Sequence, residues 1–155
     1  MHILRNDEEG FSLIELMVVV LIIAIIIAIG IPTFLGFRGR AQDTDTKSEV
    51  ANGAKVQAAY AAAAGPGYTA DPVELAKYET SLDFSGATDA SLHIVVADAV
   101  NAGDNGQVLV YARSNSGTWF GLRLVNAGLE AGQYTCTGSA ESEVDDMTDC
   151  IISEW

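Results

Sequence analysis

One carboxylate stands alone in a long apolar run. From Phe11 to Phe37 the chain reads FSLIELMVVVLIIAIIIAIGIPTFLGF, and Glu15 is its sole charged side chain. A carboxylate well inside hydrocarbon costs several kcal/mol, so such residues are rare and usually paired. The run contains no Lys or Arg to pair with it. Cleavage of the Gly10–Phe11 bond would supply a partner, because it creates an α-amino group at Phe11. Phe11 and Glu15 are four apart and share one side of a helix. In a bundle of parallel chains the amine of one copy also meets Glu15 of a neighbour, and that pairing would fix the axial stagger as a buried polar residue fixes register in a coiled coil. The competing reading is a Glu near a helix end that snorkels to the interface.

Two cysteines, Cys136 and Cys150, lie fourteen apart near the C-terminus. Without a CxxC pattern, and in a domain that follows a membrane segment, they read best as one disulfide outside the reducing cytoplasm. The alternative is two unrelated free thiols. Such a loop stabilises the fold by about 3 kcal/mol in the chain-entropy model. Inside the loop stand Glu141, Glu143, Asp145, Asp146 and Asp149, hard oxygen ligands of the kind that hold calcium. Their spacing matches no EF-hand, and a solvated acidic loop is the preferred reading, with no cofactor expected. His2 falls in the segment that cleavage removes, and His93 sits alone in an expected strand as a half-buried or surface residue rather than a base. Trp119, Phe120 and Trp155 read as packing residues rather than a carbohydrate platform. No nucleophile–base pair and no phosphate-binding Gly-rich loop is visible, so an enzyme is not expected.

The elements that position these residues follow from periodicity. As a helix, the stretch from Phe11 to Phe37 is about 40 Å long, against a hydrocarbon core of about 30 Å. It is too long for a secretory h-region, and the small residue that would mark a cut, Gly10, precedes it instead of following it. Gly30, Pro32, Gly36 and Gly39 interrupt its second half. Pro32 removes the backbone bond to Ala28, which predicts a kink. From 44 to 64 the sequence is Ala-rich, which favours helix. Val50, Ala54 and Ala58 predict a buried stripe at i, i+4, i+8, and Asp43 with Lys47 an i,i+4 ion pair. Gly65-Pro66-Gly67 ends the helix near Ala63.

Beyond it, Asp71-Pro72-Val73-Glu74 predicts an N-cap with Pro at N1, opening a short helix to about Tyr78. A polar loop covers 79–90. Strands are expected at 92–97, 107–113, 118–125 and 133–137, the second and third joined through Ser114-Asn115-Ser116-Gly117. The expected fold is α+β: a long kinked N-terminal helix, its apolar half membrane-spanning, packed by its C-terminal half against a small antiparallel β-sheet. The segments are a leader at 1–10, an apolar helix at 11–37, an amphipathic continuation at 38–64 and a head at 65–155. So small a sheet is not stable alone, so the helix must be part of its core.

Composition sets outer limits. Of 155 residues 49 % are apolar, and most of the Ile is concentrated near the N-terminus. With 8 basic against 21 acidic residues and a net charge of -13, the head is a poor partner for nucleic acid.

The segment G-FSLIEL, the Val/Ile/Leu/Ala run and GIP resemble the prepilin cleavage and methylation motif of type IV pilins and their pseudopilin relatives. The likeness spans Gly10 to Phe37 and combines the Gly-Phe junction, Glu15 and Pro32. It implies cutting after Gly10 by a prepilin peptidase, N-methylation of Phe11 by the same enzyme, and assembly by a pilus ATPase and membrane platform into a homo-oligomeric helical filament. It implies that Pro32 and its neighbouring glycines form the region where the helix melts on assembly. It places the precursor in the cytoplasmic membrane with the head outside, and the product on the cell surface. One feature departs from the motif: the leader holds Arg5 against Asp7, Glu8 and Glu9, while Arg38, Arg40 and Lys47 follow the apolar run. The positive-inside rule alone places the head in the cytoplasm; the motif and the cysteine pair place it outside.

The first expectation is therefore a structural filament subunit. The rivals are a pseudopilin of a type II secretion system, whose relatives bind calcium in C-terminal loops, and a membrane-anchored binding domain that never polymerises and keeps its leader.

Overall fold

The structure, a computed structural model, describes residues 10–64, 67–89, 91–97, 106–125, 131–146 and 148–150. Most of the leader with His2 and Arg5, the helix stop at Gly65-Pro66, the end of the polar loop at Ala90, and Trp155 lie outside the described residues. The chain forms two compact units, residues 1–38 and 39–155.

One helix, α1 (Leu13–Ala64), runs through both. Pro32 lies inside it and does not end it. Beside it, the Thr33 hydroxyl donates to the Ile29 carbonyl at 3.1 Å. In the first unit every described residue is exposed, including the large apolar side chains of Leu21, Ile26 and Phe34. A helix apolar all round belongs in lipid or in the core of an assembly, and this one is long and apolar enough to cross a membrane.

In the second unit, α1 buries Thr46, Val50, Gly53, Ala54, Val56 and Gln57. Ala58, expected on that stripe, is exposed. At 3.6 residues per turn a strict i+4 series drifts around the helix. The buried line instead steps by four and three, through 46, 50, 53 and 57. Gly53 permits the closest approach: a Cβ there would lie 2.9 Å from Leu92 Cδ1 and 3.0 Å from Val110 Cγ1. Gln57 is fully buried, and its amide donates to Thr69 O at 2.6 Å and accepts from Thr69 N at 3.2 Å, tying the loop after α1 to the helix. Asp43 accepts a hydrogen bond from the Ser116 hydroxyl, and the Lys47 ammonium lies 5.0 Å from the Phe120 ring centroid.

Helix α2 (Pro72–Leu75) is capped by Asp71, whose carboxylate accepts from Val73 N at 2.8 Å; it is shorter than expected, with turns carrying the chain to Tyr78. The strands are β1 (His93–Ala97), β2 (Gln107–Arg113), β3 (Trp119–Val125) and β4 (Gly132–Gly138), in the order β1-β2-β3-β4 with each neighbouring pair antiparallel. One sheet face carries Val108, Val110, Ala112, Leu122 and Leu124 against Val50, Ala54 and Val56 of α1. The other carries Leu109, Tyr111, Trp119 and Cys136 against Val144 and Cys150. Fully burying one such aliphatic side chain contributes about 1.5–3 kcal/mol. The sheet is the middle layer of three: helix, sheet and C-terminal loop.

Candidate functional site: the helix N-terminus and the disulfide loop

The helix start is built by a local exchange of hydrogen bonds. Ser12 N donates to Glu15 Oε2 at 2.9 Å, and Ile14 N donates to Ser12 Oγ at 3.3 Å. A helix leaves its first N–H groups without intrahelical partners, and Ser-x-x-Glu satisfies two of them in the manner of a capping box. Ser12-Leu13-Ile14-Glu15 carried this signal in the sequence, and it was not read there. Glu15 is thus held at the positive end of the helix dipole, one residue from the backbone atom that would become the Phe11 amine. Phe11, Ile14, Glu15, Val18 and Val19 line one concavity on this unit. Phe11 is exposed and Gly10 has open space around it, so the Gly10–Phe11 bond is sterically accessible.

The second feature lies on the sheet face away from α1. Cys136 and Cys150 are joined in a disulfide, as expected, with Cα atoms 4.5 Å apart, and both are buried. Cys136 pairs across the ladder with Gly121, Gly121 with Tyr111, and Tyr111 with His93. His93 stacks on Tyr111 with ring centroids 4.9 Å apart and meets Trp119 edge-on at 5.8 Å. The Tyr111 hydroxyl donates to Glu141 Oε1 at 3.4 Å, and His93 Nδ1 lies 3.9 Å from the same oxygen. This cluster was missed from sequence, because only the β1–β2 register and the return of the loop over the sheet bring its members together.

Three acidic residues of the loop, Glu143, Asp146 and Asp149, are engaged locally. Glu143 accepts from Ser139 N at 2.6 Å and Ala140 N at 3.2 Å, which holds its carboxyl below its ordinary value. Asp146 accepts from Thr148 N and Thr148 Oγ1, both at 2.8 Å, with the same effect. Asp149 accepts from Asp146 N at 3.1 Å. Among the described residues no three of His, Cys, Asp and Glu converge in a metal-binding group.

Tyr111 offers a measurable consequence. Burial first, then the charges of Glu141 and Asp145, push its hydroxyl up to about 12. The neutral phenol is therefore favoured in the folded state. Its contribution to stability is fully present below the ordinary tyrosine value near 10 and is lost as pH rises through about 12. An absorbance titration of the native protein is expected to show one tyrosine ionising near 12, and Glu141→Gln should bring that step down. A native titration with every tyrosine near 10 contradicts this placement.

A model of the prokaryotic N-terminal methylation motif matches residues 5–31. A fimbrial protein of Pseudomonas aeruginosa is 33% identical over 130 residues, covering 72% of this chain and 83% of that protein. The type IV major pilin protein PilA of Myxococcus xanthus is 49% identical over 43 residues, 28% of this chain and 20% of that protein. The type IV wide pilus major component PilA4 of Thermus thermophilus is 42% identical over 55 residues, 36% of this chain and 42% of that protein. The chain thus spans a fifth of the Myxococcus protein and less than half of the Thermus one. No solved structure matches significantly.

A long apolar N-terminal helix, a four-stranded antiparallel sheet and a methylation motif define a pilin-like protein. The chain belongs to the type IV pilin family. Membership points to a structural protein rather than an enzyme, and the motif together with the apolar helix fits a membrane-anchored precursor.

Proposed function

We propose that this chain is the subunit of a type IV pilus-like extracellular filament. A prepilin peptidase removes residues 1–10 and methylates the new amine of Phe11, which keeps its charge. The precursor waits in the cytoplasmic membrane with its head outside, until the assembly ATPase and platform draw it into a filament whose core is made of the apolar halves of α1. Glu15 of one copy neutralises the Phe11 amine of another and fixes their stagger. Pro32 and the glycines around it allow the helix to give locally as it leaves the lipid.

The observation behind this reading is Glu15: a lone carboxylate at the head of an apolar helix, aimed back at the backbone beside the Gly10–Phe11 bond. The relatives carrying pilin and fimbrial names support a filament over a secretion pseudopilin. Glu143, Asp146 and Asp149 already accept backbone N–H groups of their own loop, which supports a head that folds without calcium.

Mass spectrometry of the N-terminal peptide from membranes and sheared surface material tests it. The expected mature terminus is N-methylated Phe11. Functional protein that still begins at Met1 returns the chain to the class of tethered, non-polymerising domains.

A further inference from the structure

We infer that Arg40 and the acidic pair Asp45 and Glu49 are the two complementary edges of a contact between neighbouring copies of this chain, a second register device beyond Glu15. The inference rests on the filament reading above.

Cations are scarce in a chain of net charge -13, and most of the described ones are occupied within the chain. Lys77 pairs with Glu74 at 2.6 Å, and Arg113 with Asp89 at 2.7 Å. Lys55 donates to Asn52 at 3.1 Å, Lys47 lies over the Phe120 ring, and Arg123 lies over the Tyr134 ring at 5.1 Å. Arg38 and Arg40 are exposed, and among the described residues their side chains have no partner. They directly follow the apolar run, where the positive-inside rule disfavours cations if the head lies outside. Residues kept there against that bias are expected to have a partner elsewhere.

The partner chemistry is present on the same helix. Asp45 and Glu49 are exposed, and among the described residues neither carboxylate has a hydrogen bond or cation. They are four apart, so like charges face each other along one side of α1. Partial desolvation, and then repulsion from Asp45, hold the Glu49 carboxyl above its ordinary value. A cation from another molecule would offset the repulsion between the two carboxylates.

The placement suits a repeating array. At 3.6 residues per turn, Glu49 lies half a turn around the helix from Arg40, and Asp45 about 140° around. The buried stripe of Thr46, Val50, Gly53 and Gln57 runs between these edges, so Arg40 is on one flank and the acids on the other. Opposite charges on opposite flanks make a heterologous contact, in which each copy offers its basic edge to one neighbour and its acidic edge to the next. Levelling Arg40 of the next copy with Asp45 or Glu49 needs an axial shift of about 7–14 Å at 1.5 Å per residue. The Phe11–Glu15 pairing asks for a shift in the same direction.

Charge reversal in the native host, read as sheared-filament yield against the membrane pool of mature subunit, tests the pairing. Arg40→Glu is expected to lower yield at least about tenfold at an unchanged membrane pool, because like charges then meet across the contact. Arg40→Gln should fall between. Combining Arg40→Glu with Asp45→Arg and Glu49→Arg should restore yield to within about threefold of wild type. Wild-type yield from Arg40→Glu overturns the inference, as does a loss that the reversed acids do not repair. A depleted membrane pool in Arg40→Glu places the arginine's role before assembly, and equally overturns the inference. If the wild-type chain forms no filaments, the function proposed above fails first, and the pairing falls with it.

Discussion

Glu15→Gln is expected to abolish filament assembly while leaving the leader removed and the head folded. The amide keeps an oxygen where Glu15 Oε2 accepts from Ser12 N, so the helix start stays capped. What it loses is the negative charge. In an apolar filament core, the Phe11 amine of the neighbouring copy then has no counter-charge, and an unpaired buried charge costs about 3–5 kcal/mol. That corresponds to roughly a hundredfold or more in an association constant. Glu15→Ala removes both the charge and the acceptor for Ser12 N. The two variants separate the capping role seen in the structure from the proposed pairing role. If Glu15 acts only as a cap, Glu15→Gln assembles nearly as wild type and Glu15→Ala does not. If pairing governs assembly, both fail alike. Immunoblots of sheared and membrane fractions, with the N-terminal peptide mass as the control for processing, give the answer.

The sequence was legible where the period of its apolar residues was strong or where an end signal stood in the chain. The unbroken run after Phe11 announced a helix apolar on all sides, and Asp71-Pro72 announced a capped helix start. The hairpin at 114–117 followed from its turn residues between two apolar runs. Legibility failed where three-dimensional return of the chain decides burial. Gln-Val-Leu-Val-Tyr-Ala-Arg and Trp-Phe-Gly-Leu-Arg-Leu-Val are nearly continuous apolar runs, the pattern of strands covered on both faces. The sequence pattern supplies a partner, the helix, for one face only; that the acidic disulfide loop folds back over the other face is not written in any local period. The same loop brings Glu141 to His93 and Tyr111 over sequence distances that no local pattern spans. Ser12 and Glu15 carry the spacing of an ordinary helix-start signal, which the unusual charge of Glu15 in an apolar run overshadows. Ala58 was misplaced by rounding the helical period to four.

Gly121→Val is expected to unlatch the disulfide loop and cost the head most of its stability margin. Gly121 sits in the middle of β3, between Tyr111 on β2 and Cys136 on β4. A Cβ there would lie 2.5 Å from Cys136 Sγ and 3.4 Å from both Cys150 Sγ and Leu109 Cδ1. Those sulfurs are tied to each other and to two backbones, so they cannot swing aside as a free side chain would. Either β4 shifts and the sheet face opens, or the bridge does not close. Loss of the bridge removes about 3 kcal/mol, and crowding in a packed site adds about 1–3 kcal/mol. For a domain of this size the sum lowers the melting temperature by more than about 10 °C. Alkylation supplies the second readout: wild-type Cys136 and Cys150 resist labelling until reduced, whereas Gly121→Val labels without reductant. Gly39→Ala, a helical position with open space around it, should melt a few degrees above wild type, since Ala gains about 0.8–1 kcal/mol of helix propensity there. A Gly121→Val head that melts as wild type does, with both thiols still protected, would mean that the loop is not seated on β3 and that the sheet's second face is covered by something else.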